Sequence, residues 1–460
     1  MTAFFAAAAL LPEGWARDVR IETDGAGGIL SVTPQGDATG AERLPGVVIP
    51  GIPNLHSHAF QRAMAGLTER RSPPEARDAE GGTDSFWTWR HTMYRFVGRF
   101  APEDAEAVAA QLYAECLEWG FSSITEFHYL HHQADGTPYA QPEEMALRHL
   151  AAAQRAGIGI TMAPSLYRHG GIFGRDPVPG QRRFLNDLEG FWRIVEGVRA
   201  AVAGNPQAGL ALAPHSLRAV TPAMLSDLAQ NFTGPIHIHA AEQQREVAEC
   251  LAATGARPVE WLLANLPIDA RWCLIHCTHM TEAETRALAA SGAVAGLCPS
   301  TEASLGDGFF ALPTFRDAGG RFGFGTDSHV GTSPRDEMRQ LETSQRLVQQ
   351  QRSVATDAAH PHPGRNLVEA AVTAGAQASG RPIAGIAPGQ RCDLVCLDPE
   401  HPSLYGREGD ALLDAWVFGG QGNPVTQVVA GGAVVVLDGR HIQRDAIAAE
   451  FRSALRRLAA

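Results

Sequence analysis

From about residue 45 to about residue 380, short apolar runs alternate with longer stretches whose apolar residues recur every three or four positions. The short runs predict strands at 47–52, 122–127, 159–163, 210–213, 236–239, 272–275, 293–297 and 322–325. Between them the wider period predicts helices at 102–119, 142–156, 188–203, 222–230, 245–253 and 282–290. Eight strands separated by helical crossovers predict an α/β chain folded as a parallel (β/α)8 barrel. Periodicity alone leaves a doubly wound open sheet nearly level with it.

The two ends of the chain read differently. Residues 4–11, 19–22 and 29–32 are strand-like runs broken by Gly and Asp. The same texture returns at 392–397 and 425–437, where Gly431-Gly432 marks a tight turn. Such end pieces can pair, which predicts a small β-sandwich from 1–48 plus 380–445. A barrel then occupies 49–379 and a C-terminal helix 446–460. Segments 66–99 and 169–183 predict long loops, the first lying over a barrel mouth. The apolar run 4–11 has no basic residue before Arg17, so it reads as a strand and not as a signal segment.

Composition narrows the chemistry. All 38 residues counted as Lys plus Arg are Arg, and the chain contains no lysine. Codon bias explains this most simply, given the many Ala, Gly and Arg. The exclusion stands regardless: no Schiff-base lysine, no P-loop lysine and no carboxylated lysine bridging two metals. A net charge of -12 argues against a nucleic-acid partner. It leaves room for a small anionic substrate held by a few Arg. Seven Cys stand singly, without C-x-x-C pairs, as reduced thiols do. No run approaches the ~18 apolar residues of a membrane helix. The reading is a cytoplasmic protein with neither membrane nor nucleic-acid partner.

Chemically useful residues recur where the predicted strands end. His56-Ser57-His58 follows the first strand, and a period of two turns both imidazoles to one side. His237-Ile238-His239-Ala240-Ala241-Glu242 ends the fifth strand, His276 the sixth, and Thr326-Asp327-Ser328 the eighth. In a barrel these ends meet at the C-terminal face, where active sites sit. Each piece alone has a blander reading: an exposed H-x-H pair, a structural His276, a helix-capping Asp327, a solvated Glu242. Their coincidence at strand ends, in barrel order, points to a metal site. His237 also has the right parity to face it.

The order H-x-H, H-x-x-E, H, D resembles the amidohydrolase superfamily, whose distorted (β/α)8 barrels carry a β-sandwich built from both chain ends. In its mononuclear deaminase branch the resemblance implies one zinc ion per subunit, with iron as the alternative, held by His56, His58, His239 and Asp327. Glu242, His276 and Asp327 are then the catalytic residues. The binuclear branch needs the lysine that is missing here.

Further segments are similar to one family of that branch, the formiminoglutamate deiminases of bacterial histidine breakdown. They are His56-Ser57-His58-Ala59-Phe60-Gln61, Phe86-Trp87-Thr88-Trp89-Arg90, Thr125-Glu126-Phe127-His128-Tyr129-Leu130-His131-His132 and Ala213-Pro214-His215-Ser216-Leu217-Arg218, with the His237 to Gln243 run. This resemblance implies hydrolysis of a small anionic amidine, N-formimino-L-glutamate, to N-formyl-L-glutamate and ammonia by a homodimer.

Such a substrate carries two carboxylates, which suit the planar fork of Arg. Arg218 is the first candidate and Arg90, beside two Trp, the second. Gln61 and Tyr129 are candidate hydrogen-bond partners, and His215 is placed either against substrate or against Arg218. Tyr129 can equally only pack, and Arg90 only stack on Trp. His131-His132 reads as loop surface and His360-Pro361-His362 as a tract before a helix. Neither is assigned to metal. Glu302, Arg316 and Ser328 fall near the last two strand ends without a spacing that demands a role. The nearest competing reading is a deaminase of guanine- or adenosine-like rings, which would want stacking and amide readout and not two Arg. A non-catalytic barrel is a second, and a nucleotide-dependent enzyme lacks both G-x-G-x-x-G and a P-loop.

Overall fold

The computed structural model describes residues 2–72 and 84–459. Its barrel strands are numbered β1 (Ile52–Ser57), β2 (Phe121–His128), β3 (Gly159–Leu166), β4 (two pieces, Ala208–Leu210 and Ala213–Pro214), β5 (Ile236–Ala240), β6 (Trp272–His276), β7 (Val294–Leu297) and β8 (Arg321–Phe324). They form two parallel sheets, β1 to β4 and β5 to β8, each in sequence order. Single parallel bridges join the sheets: Leu212 to Ile236 and Ser216 to His239 on one side, Ser57 to Asp327 on the other. The Ser57–Asp327 bridge sets the turn after β8 beside the end of β1, as a barrel requires and an open doubly wound sheet does not.

The crossovers form for local reasons. The helix Pro102–Trp119 starts with Pro in its first turn, and Asp104 accepts the Ala101 amide at 3.2 Å. Inside the barrel, Leu55, Ile275, Val294 and Cys298 pack with Ala374 and Ala378 from the helix Pro363–Ser379. Burying each large aliphatic side chain contributes ~1.5–3 kcal/mol.

Both chain ends share one nine-stranded sheet, separate from the barrel. The N-terminal and C-terminal halves of that sheet meet where Val47–Pro50 pairs antiparallel with Leu394–Leu397. The helix Arg444–Ala459 packs on Pro102–Trp119, with Arg457 Nη2 2.5 Å from Asp104.

Three predicted segments differ. The run 47–52 is not one strand: Val47–Pro50 belongs to the terminal sheet, and β1 begins after Gly51. The chain crosses so close to β2 there that a Cβ on Gly51 would lie 2.3 Å from Ser122 Oγ. The predicted strand 210–213 is broken into the two short pieces of β4. Within the predicted loop 66–99 stands a helix, Phe86–Val97, whose start is closed by reciprocal bonds between Ser85 and Thr88. Residues 73–83 of that segment lie outside the described residues. In 169–183 the only helical turn among the described residues is Pro179–Gln181.

Candidate metal centre and substrate pocket

Strand β1 carries His56 and the residue just past its end is His58, β5 delivers His239 from the opposite side of the ring, and the turn after β8 delivers Asp327. His56 Nε2 and His239 Nε2 are 3.2 Å apart, and His58 Nε2 and His239 Nε2 3.4 Å. Asp327 Oδ1 lies 3.4 Å from His56 Nε2 and 3.3 Å from His58 Nε2. Four of the six separations among these donors are thus 3.2–3.4 Å and all six lie within 4.8 Å. A tetrahedral edge of about 3.3 Å corresponds to a centre about 2 Å from each corner, the bond length of a four-coordinate zinc or similar cation. His58 Nδ1 donates to Phe127 O at 2.8 Å and His239 Nδ1 to His215 O at 2.9 Å. Those bonds turn bare Nε2 lone pairs toward each other, which is repulsive unless a cation lies between them. Burial lowers His56 to about 3 and also lowers His58 and His239, so all three are neutral, as ligands must be. Burial alone would raise the Asp327 carboxyl, but the bond from His56 and the neighbouring His58 hold it well below the usual carboxylate range.

The close approach of β8 to β1 depends on Gly325. A Cβ there would sit 2.6 Å from His56 Cβ and 2.8 Å from its backbone nitrogen. The approach lets Asp327 N donate to His56 O at 3.1 Å and His58 N to Asp327 O at 3.2 Å. His276 (φ 72°) and Asp327 (φ 48°) both occupy the left-handed region, uncommon outside glycine, entered more readily by Asp and His than by most residues, and frequent at functional sites.

Behind the ligands runs a buried polar network. Ser57 Oγ donates to Glu126 Oε2 at 2.6 Å and lies 3.0 Å from His329 Nε2. Glu126 Oε1 accepts the Ala59 amide at 2.7 Å, and His329 Nδ1 is 2.8 Å from Thr326 Oγ1. Thr326 is held in turn by Asn54 at 2.7 Å. One network therefore fixes both the β1 ligands and the turn that carries Asp327. Burial pushes the Glu126 carboxyl up to about 7, against the bonds from Ser57, Ala59 and Tyr113.

His276 Nδ1 faces Glu302 Oε1 at 3.2 Å, while its Nε2 faces Glu242 Oε1 at 3.7 Å and Asp327 Oδ2 at 3.9 Å. Burial alone would lower this imidazole; the fields of Glu242, Glu302 and Asp327 outweigh it and push it up to about 10. A cation bound by Asp327 offsets the same field.

A pocket opens above these groups, lined by His58, His239, Glu242, His276 and Asp327 together with Arg90 and Arg218. Gln61 and Tyr129 line it as a pair, Gln61 Nε2 donating to the Tyr129 hydroxyl at 2.8 Å. Arg218 Nη2 bonds Glu242 Oε2 at 3.2 Å. His215 lines the pocket and is not bonded to Arg218; its Nδ1 lies 3.1 Å from Ser216 Oγ. Arg90 stacks 4.3 Å over Trp87, whose ring also meets Arg245 at 4.4 Å, and its Nε is buried without a partner.

Some readings change. His237 points into the barrel below the ligand layer and bonds Ala378 O at 2.8 Å, so it is not among the four donors. His131 and His132 are buried, not surface, each bonded to a backbone carbonyl at 2.8 Å. Arg316 bonds the carbonyls of Val354 and Thr356, away from the site. Sequence reasoning missed Phe86, Met93 and Tyr94, which with Arg90 recur at helical spacing on one face of Phe86–Val97. It also missed Tyr167, one residue past β3, although strand-end position would have found it.

Residues 47–435 match the family model described as the amidohydrolase family. The chain belongs to the amidohydrolase family, the class of metal-dependent hydrolases that this barrel and its strand-end donors describe. Residues 1–46 match the N-terminal domain of formimidoylglutamate deiminase HutF. Over 455 residues the chain is 49% identical to the formimidoylglutamate deiminase of Pseudomonas aeruginosa, covering 98% of each. Within the larger family it therefore belongs with the formimidoylglutamate deiminases. It is 27% identical over 437 residues to a 5-methylthioadenosine/S-adenosylhomocysteine deaminase of Natronomonas pharaonis, covering 93% of this chain and 91% of that one. Among solved structures, an amidohydrolase from Brucella melitensis superposes with a TM-score of 0.93 at 47% identity over 100% of both chains. An adenosine deaminase from Xanthomonas campestris with bound zinc has a TM-score of 0.80 at 20% identity, over 100% of this chain and 98% of that one, and shares the fold alone.

Proposed function

We propose that this chain hydrolyses N-formimino-L-glutamate to N-formyl-L-glutamate and ammonia, a step of histidine degradation. The observation that carries the reading is one pocket in which a four-donor cation site and an acid/base pair face Arg90 and Arg218. The extensive identity to a formimidoylglutamate deiminase supports the same substrate.

His56, His58, His239 and Asp327 would hold one zinc ion, which when bound supplies a water activated for attack near neutral pH. His276 Nε2 and Asp327 take the proton that this water gives up. Glu242 donates a proton to the imino nitrogen as the water adds. It then takes the proton of the new hydroxyl and passes it to the same nitrogen as the C–N bond breaks, so that ammonia leaves and not an amide anion. The proton held by His276 and Asp327 then returns to Glu242. The collapsing tetrahedral carbon becomes the formyl group. Arg218 and Arg90 hold the two carboxylates, and Gln61, Tyr129 and His215 orient the chain between carboxylate and amidine.

A deaminase of adenosine- or guanine-like rings is the reading this one displaces, since Arg90 and the buried Arg218 suit a dicarboxylate better than a neutral ring. Ammonia release is measured from N-formimino-L-glutamate and from a panel of adenosine- and guanine-like compounds, with metal analysis of the same sample. Turnover of the formimino compound with about one zinc per chain is expected; turnover of purines alone overturns the proposal. We also place the enzyme in the cytoplasm as a homodimer, following the family. No helix among the described residues is long and apolar enough to cross a membrane. Light scattering of the purified protein tests the dimer.

A further inference from the structure

A second set of donor atoms converges beside the first. His276, Cys298 and Asp327 are all buried, and one ligand atom from each lies within 4.8 Å of the others. Asp327 looks two ways: Oδ1 faces His56 and His58, while Oδ2 lies 3.9 Å from His276 Nε2. A carboxylate so placed can bridge two cations, as in sites whose metals stand about 3.5–4 Å apart.

The other two donors are pre-arranged by one oxygen. Glu302 Oε1 accepts the Cys298 amide at 2.9 Å and lies 3.2 Å from His276 Nδ1. That contact fixes the imidazole ring and leaves its Nε2 buried, without a hydrogen-bond partner and turned to Glu242 at 3.7 Å and Asp327 at 3.9 Å. A carboxylate behind a ligating imidazole is the usual support of a metal-bound histidine. Cys298 stands at the end of β7 with its side chain on the barrel interior, among Leu55, Ile275 and Val294. No other cysteine among the described residues belongs to a group of donors of this kind.

We propose that His276, Cys298 and Asp327 form a second cation site, selective for thiophilic divalent ions such as cadmium or excess zinc, and that its occupation stops turnover. One sulfur, one nitrogen and one shared oxygen favour soft or borderline ions over magnesium or calcium. Binding breaks the Cys298 S–H bond, forms a sulfur–metal bond and releases one proton to solvent. The sulfur is not oxidised, so no oxidant is needed. The site rests on the donor geometry alone; the inhibition rests on the proton-accepting role proposed for His276, whose Nε2 lone pair the second ion would occupy.

The test uses the zinc-loaded enzyme, titrated with cadmium. Bound cadmium and retained zinc are read by metal analysis, thiolate coordination by its ultraviolet charge-transfer absorption, and turnover by ammonia release. The wild type is expected to keep its zinc, take up one cadmium per chain with the thiolate band, and lose activity about 100-fold or more, as when a general base is removed. Cys298→Ala and Cys298→Ser are expected to show no such band and, each measured against its own starting rate, no matching loss. Cys273→Ala, one strand away in the same cluster, should behave as wild type. The same band and inhibition in both Cys298 variants would overturn the site, as would cadmium that enters only by displacing zinc. A thiolate band with undiminished turnover would uphold the site and overturn its inhibitory effect together with the role of His276.

Discussion

Arg218 Nη2 lies 3.2 Å from Glu242 Oε2, so the guanidinium that faces the substrate pocket also holds the carboxyl proposed to protonate the leaving nitrogen. Its Nε is 3.8 Å from Glu246 Oε2, and both side chains of the pair are almost fully buried. A carboxylate arriving in the pocket meets this cation already oriented and desolvated. In the proposed mechanism, binding and proton delivery are thereby coupled through one residue.

Arg218→Met is expected to raise KM and lower kcat as well, because the change removes the clamp and leaves Glu242 without its partner. Losing a hydrogen bond to a charged group costs about 1.5–3 kcal/mol, so kcat/KM should fall about 10- to 150-fold, with metal content unchanged. Arg218→Lys should recover little, since an ammonium cannot reproduce the fork. Unchanged steady-state kinetics in the Met variant would place the clamp elsewhere.

Glu242→Gln should retain the cation and bind substrate yet lose turnover by about 10²- to 10⁴-fold, the usual contribution of a positioned acid or base. Metal analysis beside single-turnover ammonia release checks this. A near-normal rate would remove Glu242 from the role of acid.

Glu126 touches none of the four donors, yet its two oxygens hold Ser57 and Ala59, the neighbours of His56 and His58. Glu126→Ala should therefore weaken cation binding about 10- to 100-fold, the usual effect of losing a group that orients a ligand. Glu126→Gln keeps one acceptor oxygen and should recover part of that loss. Competition with a chelator of known affinity reads the change, and a thermal melt separates it from general destabilisation. Equal cation affinity in all three proteins would assign the network to packing alone.

Glu337 gives a pH signature remote from the chemistry. Burial pushes its carboxyl up to about 8, against bonds from the Ser300 hydroxyl and amide. The folded state therefore holds a proton that the unfolded chain releases near the ordinary value of 4.5. Its contribution to stability is complete below that value and is lost as pH rises through about 8. Tm of the wild type should fall between pH 5 and 8.5 more steeply than that of Glu337→Gln, whose amide does not titrate. Parallel curves would show that Glu337 does not govern the slope.

Much of the fold was legible because each barrel strand is an apolar run between helical stretches, and because chemical residues gather at strand ends. Helix 102–119 is legible to the residue, with Pro102 opening it and Gly120 closing it in the left-handed region. The helix Phe86–Val97 was not, because its apolar face packs on pocket and loop groups that sequence does not place, and its Arg and Trp read as loop. His237 and His239 have the same parity along β5, and strand period cannot tell them apart. Depth in the barrel does: His239 reaches the rim, whereas His237 sits one layer down against Ala378.

By itself, the sequence determined the strand and helix order, the donor types and the absence of any lysine to bridge a pair of metals. Those are properties of local pattern and side-chain chemistry. Tertiary structure decided which donors meet: the 3.2–3.4 Å spacing of four atoms from β1, β5 and the turn after β8, and the pairing of Arg218 with Glu242 across 24 residues. Such distances depend on ring closure, on the glycine that lets β8 approach His56, and on a network shared between Ser57 and His329. No local pattern encodes them, because each is a contact between segments far apart in the chain.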